Sequence, residues 1–518
     1  MRLRLGITLS LLLIVTTAAL GEMPSRQAII DQPGPAPDID VQVLRQSQDL
    51  LVLQMDLNRL AADRIEIDGR AYSRLSIAGA SDHGEQGQPA LPAIGRLLQG
   101  PDGMGVSLRI LEMDTREFTT APLAPVPPRD GEAVRVDAAA YAKSLPDLEP
   151  TAEIGAPGIL RDLRVSSVVF RPVQYDPAAG KLTVATRMVV EVSFSAAGEG
   201  ADVPGPKSGA SRTESFAQFY AANVLNYADA GKSLPVDQGT YLMICRNDAT
   251  VISHVEPLLD WRRRQGYNVL LATTADTGTT TTSIKNYIQG VYDTAKPALE
   301  FVTLVGDIGG SWGLPTYSEG MSGYGGRGDH EYTMLAGGDI LPDIHIARLS
   351  FDDDVLGNLD EIVTKIVAYE TAPPMGADPD WFTRGSLVGD PSSSGITCIF
   401  VNQWVRDQLL AHSYTEIDSL WNPSWSDMRT NYNKGASLMT YRGWLGMSGL
   451  SASYINTLSN DGELSFAVVM TCDTGSIEDD MCRSEAFVRN DTGGGVTSIG
   501  TATIGTHTRY NNCMFTGV

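Results

Sequence analysis

Cysteine is scarce: five in 518 residues (Cys245, Cys398, Cys472, Cys482 and Cys513), odd in number and widely spaced. That count fits neither a disulfide framework nor the ligand spacing of a zinc site. Basic residues are also few, 39 Lys and Arg against 62 Asp and Glu, for a net charge of −23. Nucleic-acid binding needs basic patches for phosphate, so this balance argues against it. The same acidity suits solubility outside the cell and favours calcium or basic substrates. Only six histidines are present, so candidate bases can be enumerated. Beyond the amino end, no segment offers the roughly 20 consecutive apolar residues of a spanning helix, and no transmembrane segment is expected.

What is present starts with MRLRLGITLSLLLIVTTAALG, two arginines, an apolar run and small residues. Residues 1–21 read as a secretory signal peptide, so the protein is expected to be exported. Residues 22–200 carry short alternating runs such as DLLVLQMDL and LTVATRMVVEVSFS between Gly, Pro and Asp turns, the pattern of a β-rich, sandwich-like domain. Residues 201–238 form a linker that opens Gly/Pro/Ser-rich, with Lys207 and Arg212 offered to proteases, and continues into the amphipathic segment SFAQFYAANVLNYA. From residue 239 apolar strands alternate with helical periods, the sign of a doubly wound, mainly parallel α/β sheet. The tetrapeptide LVGD occurs at Leu304–Asp307 and again at Leu387–Asp390. It suggests two α/β subdomains, 239–374 and 375–518, divided near Pro373-Pro374, the second expected to be truncated at its C-terminal end.

The apolar run FAVVMTCDTG delivers Cys472 to the end of a predicted strand, where open α/β sheets hold their chemistry. Cys472 is the candidate nucleophile; the competing readings are an inert buried thiol and a disulfide with Cys482. A thiolate needs a base and backbone donors for the oxyanion. His254 and His412 fall on predicted helices and His345 on a strand, where structural roles are expected. His330 in GRGDHEY and His507 in GTHTRYNN fall in predicted loops, where catalytic groups are more often held. The acidic turn Glu478-Asp479-Asp480 reads either as a solvated loop or as a structural calcium site. Asp352–Asp354 reads as the N-terminal charge of a helix. No metal ligand set is assigned and no cofactor is required.

GRAYSRLSIAGA and GQPALPAIGRLL, then LLDWRRRQGYNV, FVTLVGD, GDHEYTMLAGGDILPDIHIARLS, SLMTYRGW, FAVVMTCDTG and GGGVTSIGTATIG together resemble the gingipain family of cysteine peptidases, within the caspase-like clan. The resemblance covers nearly everything after the signal and implies a gingipain-type propeptide over the β-rich region. It implies a secreted cysteine endopeptidase made as a zymogen, cleaving protein or peptide substrates and held by its own propeptide. Carried over, Cys472 falls on the family nucleophile, and Asp329 falls where an acidic residue stands near the substrate pocket. The family's Tyr-x-Gly-His-Gly falls on Tyr441–Leu445, where Trp444 stands in the histidine position and Leu445 in that of the next glycine. The backbone amides of Leu445 and Cys472 are then the expected oxyanion donors, Trp444 a pocket residue and His507 the replacement imidazole. The alternative is a pseudopeptidase, an inactive homologue acting as a surface binding or scaffolding protein.

Overall fold

The structure is a computed structural model, and it describes residues 26–518 except 129–132, 144–150, 204, 206–212, 228–237, 322–323, 352–355, 376–377, 393, 444–449, 504 and 518. The expected signal peptide, Lys207, Arg212, Asp352–Asp354, Trp444 and Leu445 therefore lie outside the described residues. The β-rich region is three antiparallel sheets. One holds Arg26–Asp31, Arg59–Ile67 and Arg70–Ser76, a second is centred on Leu163–Phe170 and Leu91–Gln99, and a third on Lys181–Ser195 and Leu50–Leu57. Alternation decides the inner face: Leu51, Leu53, Met55 and Leu57 point inward and are fully buried. They meet Ile30, Leu75, Ile94 and Phe170 of the other two sheets in one core. Each such side chain contributes roughly 1.5–3 kcal/mol by burial.

The C-terminal region is two parallel sheets. The first runs Asn268–Thr273, Thr240–Cys245, Leu299–Val305, His345–Leu349; the second runs Glu416–Trp421, Arg384–Gly389, Leu438–Arg442, Ser465–Met470, Gly495–Gly500. Every residue of Thr240–Cys245 and of Arg384–Gly389 is buried, as expected of central strands covered by helices on both faces. Numbered within each half, both sheets have the order 2-1-3-4, and the second adds a fifth strand. The two-subdomain reading therefore holds on topology. The LVGD repeat does not underlie it, because its first copy ends the third strand of one half and its second copy ends the first strand of the other. Both tetrapeptides are apolar strand ends turning out of a sheet, and that is all they share.

The halves meet through buried polar contacts. Arg489, on the helix Arg483–Arg489, reaches Asp307 at 3.0 Å and Glu485 at 2.9 Å, and its Nη2 donates to Ser350 Oγ at 2.9 Å. Lys365, on the helix Gly357–Thr371, donates to four carbonyl oxygens, those of Phe487, Val488, Asn490 and Gly493, at 2.8–3.4 Å. Burial pulls its ammonium down to about 8, below the usual lysine value of ~10.4. The unfolded chain then holds the extra proton between those two values, so stability rises with pH across that window. We expect a gain of about 2–3 kcal/mol at most. Urea unfolding at either end of the window should show this gain in the wild type and not in Lys365→Met.

The β-rich region docks on the first half through several contacts, among them the Ile159 N–H donating to the Asp339 carboxylate at 2.7 Å and the inserted side chain of Arg161. Arg161 is 1% exposed and adopts a left-handed backbone (φ 59°), a cost that its contacts must outweigh. Its Nη1 donates to the carbonyls of Leu299 (2.7 Å) and Asp343 (2.9 Å), and its backbone N–H donates to the Asp343 carboxylate at 2.7 Å. The guanidinium lies 4.6 Å from the Phe216 ring centroid. Phe216 belongs to the helix Glu214–Asn223, the amphipathic segment expected within the linker. The Asp343 carboxylate is held in place by the amides of Leu335 and Ala336. Burial raises its pKa and that of Glu300, which accepts from Ser215 at the start of that helix.

Candidate active site

Cys472 lies two residues beyond Met470, where the fourth strand of the second sheet ends, and is 5% exposed. The turn that carries it is laced to the loop after Gly495–Gly500: Asp473 N–H donates to the Thr503 carbonyl at 3.2 Å and Gly475 N–H to that of Thr501 at 3.0 Å. A Cβ on Gly475 would meet the Gly500 oxygen at 2.6 Å, so only glycine allows that approach. Asp473 is left-handed (φ 63°), a conformation Asp tolerates better than most residues. Its carboxyl is pushed up by burial, then by Asp479.

The thiol faces the loop before the last helix, Thr508–Gly517. Its Sγ is 3.3 Å from Thr506 Oγ1 and 3.8 Å from the Thr506 carbonyl oxygen. Asn511, fully buried on that helix, holds the same hydroxyl, with Nδ2 at 2.8 Å and Oδ1 at 3.1 Å. His507 directly follows Thr506, so its Cα is one peptide, about 3.8 Å, from that of the thiol's partner. Its ring is buried, with Nδ1 3.3 Å from the carbonyl of Pro127 in the β-rich region and its face against the edge of Tyr510. Arg442 at the end of the third strand, also fully buried, clasps the first turns of that helix through the Thr508 carbonyl and Asn512 Oδ1.

All five cysteines are free thiols, so the disulfide between Cys472 and Cys482 does not form. Burial raises the pKa of Cys482, then Glu485 raises it further. The other histidines have structural partners. His254 pairs with Asp360, His412 Nδ1 contacts the Gln408 carbonyl of its own helix, and His330 Nε2 is 2.9 Å from the Ile340 carbonyl. His345 stacks between Phe216 and Phe301 with Ser215 Oγ at 3.1 Å, and burial lowers its pKa.

Asp329, expected beside the substrate pocket, is turned inward. Arg348 grips it at 2.8 Å from both Nε and Nη2, and Thr316 Oγ1 donates to it at 2.8 Å. Its charge is thus balanced from within the fold. Glu478 is paired with Arg327 at 2.8 Å, and among the described residues no three His, Cys, Asp or Glu side chains gather to hold a metal. Arg327 belongs to an antiparallel hairpin, Tyr317–Met321 with Tyr324–Gly328, which was not anticipated as strand. The hairpin packs beside the site: a Cβ on Gly326 would meet the Ala502 oxygen at 2.8 Å.

A family model described as peptidase family C25 matches residues 235–518, more than half of the chain, and one described as the C25 propeptide matches residues 32–234. Lys-gingipain of Porphyromonas gingivalis is 25% identical over 458 residues, covering 81% of this chain and 25% of the relative. Gingipain R2 of the same organism is 24% identical over 431 residues, covering 78% of this chain and 56% of the relative. The chain thus spans a quarter and just over half of the lengths of these curated relatives. A crystal structure of the Arg-specific cysteine proteinase gingipain R aligns over 51% of this chain and 62% of its own, at 21% identity and a TM-score of 0.43. Among the described residues no helix is long and apolar enough to cross a membrane.

Proposed function

Since the chain belongs to peptidase family C25 and carries the family's propeptide ahead of its peptidase region, we propose that it is an exported cysteine endopeptidase made as a zymogen. The observation that carries this reading is Cys472 just past a parallel-strand end, with its sulfur against Thr506, the residue before His507, whose Nδ1 faces a propeptide carbonyl. The Cys472 sulfur would attack the carbonyl carbon of a peptide bond while the backbone amides of Cys472 and Leu445 receive the oxyanion. An Nδ1–H directed at a carbonyl leaves Nε2 of His507 as the basic nitrogen. That nitrogen would take the thiol proton and return it to the leaving amine, and water would then hydrolyse the thioester. Trp444 would line the substrate pocket. The Pro127 contact supports latency, since the propeptide must leave before a substrate can approach that side of the ring.

A pseudopeptidase is the second reading, and one observation favours it. By the resemblance Trp444 falls in the family's histidine position, and the thiol's contacts in the structure include the Thr506 hydroxyl and carbonyl. The two readings separate on one experiment: the full chain, cut in the linker by a limiting protease, is treated with a thiol-reactive peptide probe. We expect a covalent adduct on Cys472 in the cut chain, with little in the intact one, and a large loss of labelling in His507→Ala. No Cys472 adduct after cutting would favour the binding protein.

A further inference from the structure

We propose that Asn511 and Thr506 form a donor relay that holds the Cys472 sulfur as a thiolate, making Thr506 a catalytic residue and Asn511 its positioning residue. The proposal rests on the reading of Cys472 as nucleophile and adds how that sulfur is ionised where Trp444 replaces the family's histidine.

The relay follows from three distances. Thr506 Oγ1 stands between the thiol sulfur at 3.3 Å and the Asn511 carboxamide, whose nitrogen makes the shorter contact at 2.8 Å. A hydroxyl has one proton to give and lone pairs to receive. When the Asn511 N–H occupies a lone pair, the hydroxyl proton is released from Oδ1 at 3.1 Å and can turn to the sulfur. An O–H directed at sulfur stabilises the thiolate and has no comparable effect on the thiol. Opposing it is the Thr506 carbonyl, an acceptor 3.8 Å away, which favours the protonated form through a longer contact. Burial strengthens both contacts, and the contact with the hydroxyl is the shorter of the two.

Asn511 is fixed independently of the sulfur. It is completely buried on the last helix, and Arg442 ties that helix and the loop before it to the neighbouring strand end. The ionisation itself is Cys–SH to Cys–S⁻ with the proton passing to Nε2 of His507, the base of the proposed mechanism, and it needs no further reactant. The charged or titratable groups on the surrounding elements include Asp473, Glu478, Asp479 and Asp480 in the thiol's own turn, His507 on the facing loop, Tyr510 and Cys513 on the last helix, Tyr441 and Arg442 on the neighbouring strand and Arg483 on the following helix. None of these is altered in the variants below, although Asn511→Asp adds one carboxylate of its own.

Thiolate formation is read from the ultraviolet absorbance of the full-length chain against pH, with Cys472→Ser as the subtraction blank for the other four thiols. In Thr506→Val we expect the Cys472 midpoint to rise by about one pH unit, while Thr506→Ser, which keeps the hydroxyl, stays within a few tenths. Asn511→Asp, close in shape, draws the hydroxyl proton onto a carboxylate and should also raise the midpoint. Equal midpoints in wild type and Thr506→Val overturn the relay. Should Thr506→Val lose its circular dichroism signature of folding, an unchanged midpoint in Asn511→Asp overturns it instead. If the midpoint pattern holds and the cut wild-type chain never takes the peptide probe, the relay stands and the peptidase reading falls. If the probe reacts equally fast with wild type and Thr506→Val across the pH range, the relay falls and the peptidase reading stands.

Discussion

Cys472→Ala should lower peptide cleavage by the cut chain at least about 10⁴-fold, the scale seen when a catalytic nucleophile is removed, and should leave no covalent adduct. The magnitude follows from the chemistry: without sulfur no thioester can form, and what remains is attack by water in a site arranged for thiolate attack. Cys472 is nearly buried and its methylene packs in a turn tied to the next strand's loop. Alanine keeps the Cβ and removes only sulfur, so the fold is expected to survive, with an unchanged melting temperature as the control. Cleavage within about tenfold of wild type would remove Cys472 from the mechanism.

The second large effect concerns Arg161. Its Nη1 makes two charge-assisted hydrogen bonds to carbonyls of the peptidase region, and such bonds contribute about 1.5–3 kcal/mol each. Arg161→Met fills similar volume but leaves both carbonyls buried without this donor, for an expected loss of roughly 3–5 kcal/mol in the hold between the two regions. At 1.4 kcal/mol per tenfold, that is a factor on the order of 10²–10³ in dissociation constant. In the intact chain the linker hides this loss, because the two parts are tethered. After the linker is cut, gel filtration should show the wild-type propeptide still bound and the Arg161→Met propeptide released. Retention equal to wild type would place the hold elsewhere, in contacts such as the Ile159 N–H to the Asp339 carboxylate and the Pro127 carbonyl to His507.

Much of this architecture was legible in the sequence, for identifiable reasons. TYLMIC and FAVVM are continuous apolar runs because parallel strands are buried on both faces, and LLVLQMDL alternates because an antiparallel strand has one face inward. The hairpin carrying Arg327 was missed because YGGRG offers no side-chain periodicity to read. The last helix was missed because TRYNNCMFTG is poor in strong helix formers; its stability comes from packing, with Phe515 against Val468 and Met470. In the candidate site, Cys472 at its strand end and His507 in its loop were legible, but Thr506 and Asn511 were not. The fold brings Thr506 and Asn511 together five residues apart across a helix start, with no capping or catalytic pattern to mark them. Arg161 was invisible for a different reason: a left-handed arginine inside a neighbouring domain is decided wholly by tertiary contact.

The shared strand order of the two sheets carries one last consequence. Pairing Val305 with Leu349 in the first half corresponds to pairing Arg442 with Met470 in the second, so Ser350 and Phe351 are the counterparts of Thr471 and Cys472. In the first half that rim is closed. Phe351 is fully buried, and Ser350 contacts Glu485 and Arg489 of the other half. Arg489 in turn donates to the Asp480 carbonyl, just downstream of the thiol's turn. One copy of the topology thus braces the rim of the other that carries the candidate nucleophile, and damage to that brace should reach Cys472 without touching it.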